Sequence, residues 1–463
     1  MKPYELTLTA AAAEIQARRL SPVELTDSVL DRIEATEHAL HAFAEVTADL
    51  ARNAALAAER EIASGRYRGP LHGIPLGVKD LYDTAGVPST SSSKLRAGRV
   101  PDTNAVAVER LFAAGMVMVG KTHTHEFAYG VITPTTRNPW NPRHISGGSS
   151  GGAAAAVASG ACMVGLGSDT AGSIRIPASL CGTVGLKPSY GRVSRRGLAS
   201  LAWSLDHVGP LTRNVRDCAL VLNTIAGSDR FDPACLDVPV PDYTSGLDRE
   251  IVGLRVGVPA NYFFDHVHHE VAAAVHQSIS ILRDLGAQVR EVTIPYADAL
   301  AAVELSILLP EASAYHQEGL RSKGDLYSPD VRLLLEIGEF VLATDYIRAL
   351  RIRTLIQRAW AAMFDDIDVL VCPSTPLAAP TVDTAKTIWA DGTTEDIVTA
   401  LIRLTLPANV TGLPALSMPV GFDAAGLPLG VQIMGRPFDE ATVLRVGQVY
   451  EAASGTVGRL AAA

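Results

Sequence analysis

A serine attacks a carbonyl efficiently only when its hydroxyl is accessible, backbone N–H groups around it are free, and a base is within reach. Ser173 closes the run Asp169-Thr170-Ala171-Gly172-Ser173. An apolar stretch, Cys162 to Gly167, precedes this run, and Ile176-Pro177 follows it. The pattern predicts a strand, a glycine-containing turn and a short helix. In such a turn the N–H groups of Thr170, Ala171, Gly172 and Ser173 can converge on an oxyanion, each donor contributing about 10²–10³ in rate. The same five residues alone also fit an ordinary strand–helix turn. A second cluster, Gly147-Gly148-Ser149-Ser150-Gly151-Gly152, lies upstream. Glycine and serine there permit sharp turns and close backbone approach, although such sequence also suits a flexible loop.

The base is the harder question. No histidine is tied by sequence to the Ser173 turn, and His207, His266, His268, His269, His276 and His316 have no telling context. Lys79 ends the short apolar run Leu76-Gly77-Val78 and is followed after one residue by Leu81. An ordinary lysine, with a pKa of about 10.4, is almost wholly charged at neutral pH. Burial lowers it by up to about 3–5 units and turns it into a usable base. A strand-end surface lysine fits the same residues.

Other patterns compete. Gly147-Gly148-Ser149-Ser150-Gly151 matches the GxSxG nucleophile elbow, which needs a later acid and histidine. Ser91-Ser92-Ser93-Lys94 matches SxxK without its companion motifs. Gly165-Leu166-Gly167 lacks the third glycine of a dinucleotide loop. His123-Thr124-His125-Glu126 and His266-Val267-His268-His269-Glu270 lack HExxH spacing, so no metal site is assigned. The five cysteines are odd in number and without CxxC spacing, which fits a reduced cytoplasm better than a disulfide framework.

Taken together, GGSSGG, then D-T-A-G-S-I-R, then the segment Pro177 to Pro188 resemble the amidase signature family of serine hydrolases. The resemblance extends to Gly73-Ile74-Pro75-Leu76-Gly77-Val78-Lys79-Asp80, to Val369 through Pro376, and to Gly412 through Pro419. It covers most of the chain, more weakly between about 228 and 368. It implies a catalytic set of Lys79, Ser149 and Ser173, with Ser149 in a cis peptide relaying the proton. It also implies that Ser150, Asp169 and Arg175 hydrogen-bond within the two loops, and that no cofactor is needed. Ala171 stands where the family often has glycine, a position from which only backbone is asked.

The expected fold is α/β: one large domain, 1–463, with a central mixed, largely parallel sheet covered by helices on both faces. Its expected parts are an N-terminal helical segment (1–65), a core with the catalytic residues (66–228) and a more variable helical region (250–366) lining the substrate pocket. Net charge is −9, from 49 acidic and 40 basic residues, which argues against direct nucleic-acid binding. The longest uncharged run is rich in Gly, Ala and Ser, so no membrane span is expected, and the N-terminus has no basic stretch followed by an apolar one, so no signal peptide is expected.

The expected activity is hydrolysis of a small-molecule amide in the cytoplasm, with a homodimer as the family-based oligomer. One alternative is the glutamine-hydrolysing subunit of a tRNA-dependent amidotransferase. Against it, the Tyr-Asp-Gly-Val/Leu-Arg stretch associated with those subunits is absent, and Leu342-Ala343-Thr344-Asp345-Tyr346 looks more like stand-alone amidases. Another alternative is an esterase or carbamate/urea hydrolase using the same serine. Phe127, Tyr129 and Trp203 are the expected pocket residues, with Leu305 to Tyr315 and Thr387 to Trp389 as further walls.

Overall fold

Period-two alternation sorts the strand residues between two cores. In the segment Val369–Pro373, Val369 and Val371 pack into one cluster while Leu370 and Cys372 pack into the other. A computed structural model describes residues 2–462. Its strands are β1 (Phe43–Val46), β2 (Pro75–Lys79), β3 (Val117–Thr122), β4 (Val164–Asp169), β5 (Val184–Lys187), β6 (His207–Thr212) and β7 (Arg255–Pro259). They continue as β8 (Gln288–Val292), β9 (Val369–Pro373), β10 (Lys386–Ile388), β11 (Thr394–Asp396), β12 (Ala415–Phe422) and β13 (Pro428–Gly435). Eleven of them form one sheet in the order β1-β3-β2-β4-β6-β5-β12-β13-β9-β7-β8, while β10 and β11 make a separate hairpin.

The sheet is mixed. Its parallel ladders lie toward the two flanks, β3-β2-β4 and β9-β7-β8, where helices such as Val106–Ala113 and His269–Asp284 connect successive strands. Between them the pairings from β4 through β6, β5, β12 and β13 to β9 are antiparallel. Strand–helix alternation in the sequence marks the flanks. It could not mark β6, whose run His207-Val208-Gly209-Pro210-Leu211 has no strong strand signal.

The N-terminal segment is helical apart from β1, which adds an antiparallel edge to β3. The region 250–366 has two roles. β7, the helix His269–Asp284 and β8 extend the main sheet, while the helices Leu300–Lys323, Pro329–Gly338 and Ala343–Asp366 build a wall over the other face.

The Ala-rich helix Gly151–Ser159 is wholly buried. Its small side chains let it lie close to the sheet. At Gly152 a Cβ would stand 2.6 Å from the His123 backbone nitrogen and 2.4 Å from the Ala42 carbonyl oxygen, so glycine is required there. That approach fixes the start of the helix, and with it the Ser149-Ser150 turn, against the end of β3. Among the described residues, no helix is long and apolar enough to cross a membrane.

Candidate active site

Register places Lys79. β2 pairs in parallel with β4, with Val78 opposite Leu166, so Lys79 emerges at the same sheet edge as Ser168. Lys79 is fully buried. Its Nζ lies within hydrogen-bond distance of three hydroxyls, Ser149 Oγ at 2.7 Å, Ser150 Oγ at 2.9 Å and Ser168 Oγ at 3.0 Å. Burial drives its pKa well below the ordinary lysine value, and the Asp169 and Asp206 carboxylates only partly counter it. A neutral amine ringed by three hydroxyls can accept a proton from one of them.

The Gly148–Ser149 peptide bond is cis. The Ser149 carbonyl accepts from the His125 amide and from Thr133 Oγ1, both at 3.1 Å. The Ser150 amide donates to the Ser173 carbonyl at 3.1 Å. This bond joins the two glycine-serine turns and sets Ser173 beside the Lys79–Ser149 pair.

Asp169 organises the Ser173 turn from inside. Its carboxylate accepts from the Gly172 amide at 2.9 Å, the Ile174 amide at 3.1 Å and Asn409 Nδ2 at 2.9 Å. Arg175 grips it with Nε and Nη2, each at 3.0 Å. Burial alone would raise this carboxyl, but Arg175 outweighs it and holds Asp169 far below the usual carboxylate range. Arg175 also donates to the Thr405 carbonyl at 2.7 Å and to Asn409 Oδ1 at 2.6 Å.

One member of the expected donor set needs correcting. The Gly172 N–H is held by Asp169, because the carboxylate folds back over its own turn, so it does not face an oxyanion. Thr170, Ala171 and Ser173 remain as the candidate backbone donors. Thr170 is further fixed by its hydroxyl, which donates to Asp206 at 2.7 Å.

Ser173 opens onto a cavity of about 370 Å³. Ala128, Tyr129, Val131, Ala171 and Leu201 line it, with Leu305 and Leu308 from the helix Leu300–Lys323 and Ile402 from the helix Ile397–Arg403. A mostly apolar concave site with a few polar groups is what a small-molecule pocket requires.

The chain is similar to known proteins along most of its length. The Amidase family model matches residues 24–444. The chain belongs to the Amidase family. It is 51% identical to an Amidase of Pseudomonas putida over 97% of this chain and 96% of that protein. It is 44% identical to a Glutamyl-tRNA(Gln) amidotransferase subunit of Roseiflexus sp. (strain RS-1), again over 97% and 96%. Among solved structures it resembles a chain of the vestigial protein complex that reveals the evolutionary origins of an s-triazine catabolic enzyme. The TM-score is 0.94 at 35% identity, covering 98% of this chain and all of that one.

Within this amidase fold the expected pocket residues separate. Tyr129 lines the cavity. Phe127 stands behind it, fully buried and packed edge-on against His316 with ring centroids 4.4 Å apart. Trp203 does not line it: the residue is 55% exposed and borders a shallow cleft with Arg195 and Phe231, because its loop turns outward. Trp389 stacks on His266, while the neighbouring helix Ile397–Arg403 reaches the cavity.

The histidine patterns are dispersed. His125 bonds Asp330 at 2.9 Å, His266 bonds Asp391 at 3.0 Å, and His207 Nδ1 faces the Leu205 carbonyl at 2.6 Å. Among the described residues, no group of three or more His, Cys, Asp or Glu is arranged to hold a metal ion. Ser168, Asp206, Thr405, Asn409 and Glu304 were not singled out by sequence reasoning. Thr405 and Asn409 lie far along the chain from the turn they support and carry no local signal.

Proposed function

We propose that this amidase hydrolyses small-molecule amides through Lys79, Ser149 and Ser173 by way of an acyl-enzyme. The reading rests above all on the buried Lys79 Nζ, 2.7 Å from Ser149 Oγ, in a turn bonded directly to Ser173. Ser173 Oγ attacks the amide carbonyl carbon. Its proton passes to Ser149, whose own proton passes to neutral Lys79. The N–H groups of Thr170, Ala171 and Ser173 stabilise the oxyanion. The proton returns through Ser149 to the leaving nitrogen as the C–N bond breaks. Water then attacks the Ser173 ester, with the same pair taking its proton, and releases the carboxylic acid.

The apolar cavity favours a stand-alone amidase over a glutamine-hydrolysing subunit, and the proposed setting is the cytoplasm. Amine and ammonia release by the purified chain, on anilides, aliphatic amides, ureas, esters and glutamine, tests this. Turnover of a simple amide, lost in Ser173→Ala with the fold retained, is the expected result. Full activity of Ser173→Ala would end the reading. Activity on glutamine alone, and only with a partner protein, would replace it with the amidotransferase role.

A further inference from the structure

The cavity beside Ser173 contains a polar anomaly. The helix Leu300–Lys323 presents Ala301, Glu304, Leu305, Leu308 and Leu309 to it, a spacing that places them on one face. Four of the five are apolar. Glu304 is 1% exposed, and neither carboxyl oxygen has a protein partner. Buried polar groups are almost always paired, so an unpaired one on a cavity wall marks a place where a ligand supplies the bond. Arg353 attracts Glu304 without a hydrogen bond to it, and its Nε and Nη2 donate to the Val410 and Ser204 carbonyls, at 2.8 and 2.9 Å. Tyr129 lines the same cavity, is 5% exposed, and its hydroxyl is likewise without a partner.

We infer that Glu304 and Tyr129 form a specificity subsite that hydrogen-bonds a neutral donor–acceptor group, such as a carboxamide, ureido or hydroxyl group, on the substrate. This rests on the amide-hydrolase reading and deepens it by naming the substrate class: an amide with an apolar body and a second polar function at a distance from the scissile bond. Burial pushes the Glu304 carboxyl well above the usual carboxylate range. Arg353 and Arg175 oppose the rise, and Asp169 and Glu311 add to it. The protonated carboxyl then offers one donor and an acceptor, which a carboxamide matches with two bonds. An ammonium would instead lose its hydration among leucines.

The test uses hexanamide, hexanediamide and 6-aminohexanamide with the wild-type chain, Glu304→Leu, Glu304→Gln and Tyr129→Phe. Wild type is expected to favour hexanediamide over hexanamide by about tenfold in kcat/KM, carried mainly by KM. Glu304→Leu removes that preference, lowering turnover of hexanediamide more than that of hexanamide. Glu304→Gln, which keeps a donor and an acceptor, retains it, and Tyr129→Phe reduces it. Three results overturn the inference: no preference in wild type, equal loss on both amides in Glu304→Leu, or a preference for 6-aminohexanamide abolished by Glu304→Gln. Binding of the three amides to Ser173→Ala by calorimetry reads the subsite without turnover. Failure of the catalytic reading, seen as activity surviving Ser173→Ala, is thereby separated from failure of the subsite.

Discussion

Asp169 and Arg175 form a fully buried ion pair through two parallel bonds of 3.0 Å, six residues apart across the nucleophile turn. The pair is a brace. Asp169 collects the amides inside the turn, and Arg175 ties the brace outward to Thr405 and Asn409. Removing one member strands the other charge in the interior, at about 3–5 kcal/mol. Arg175→Ala is therefore expected to lower unfolding free energy by that amount in urea denaturation and to reduce turnover with it.

Gly172 has φ +135, and a Cβ there would stand 2.1 Å from Thr405 Oγ1 and 2.7 Å from Thr405 Cβ. Thr405 cannot withdraw freely, because its hydroxyl bonds the Ala171 carbonyl at 2.6 Å. Gly172→Ala should displace the donors beside Ser173 and cut kcat by about 10²-fold or more. An unchanged kcat would mean that the turn adapts without losing its donors.

Lys79 must be neutral to accept a proton. Because burial lowers its pKa, kcat/KM is expected to fall as pH drops through that depressed value and to level off above it. Lys79→Arg, permanently charged, should lose about 10²–10⁴ in kcat at every pH. A pH–rate profile for the two proteins checks both statements.

The same group ties stability to pH. Between the lowered folded pKa and about 10.4, the unfolded chain holds a proton that the folded chain lacks. Stability therefore rises with pH across that window, by up to about 1.4 kcal/mol per pH unit. Lys79→Met removes this slope. Urea midpoints at pH 7 and pH 9 should converge in the variant relative to wild type.

Trp203 is 55% exposed and borders a different cleft from Ser173. Trp203→Ala should leave kcat/KM near wild type and change stability by less than about 0.5 kcal/mol, as surface substitutions do. Leu308→Ala, on the cavity wall and 6% exposed, should instead raise KM for bulky amides. Steady-state kinetics on one anilide series separates them.

The local devices of this amidase are legible in its residues. The glycine-serine turns, the strand that ends in Lys79 and the Ala-rich helix are all consequences of backbone freedom, apolar runs and small side chains within a few residues. The motif text around Lys79, Ser149 and Ser173 also carried the family. Features that require distant partners emerged only with the folded chain. β6 enters between β4 and β5, and the carboxylate of Asp169 takes the Gly172 amide from the donor set. Thr405 and Asn409 close on a turn more than two hundred residues earlier in the chain. Trp203 and Phe127, alike in sequence as aromatic candidates, part company because one loop turns outward and the other packs under a helix. Glu304 reads as one more charged residue on a helix until the wall it sits in proves to be largely apolar. Propensity and periodicity act over neighbours in sequence. Burial and hydrogen-bond competition act over neighbours in space, and those select which of the candidate groups reach the cavity.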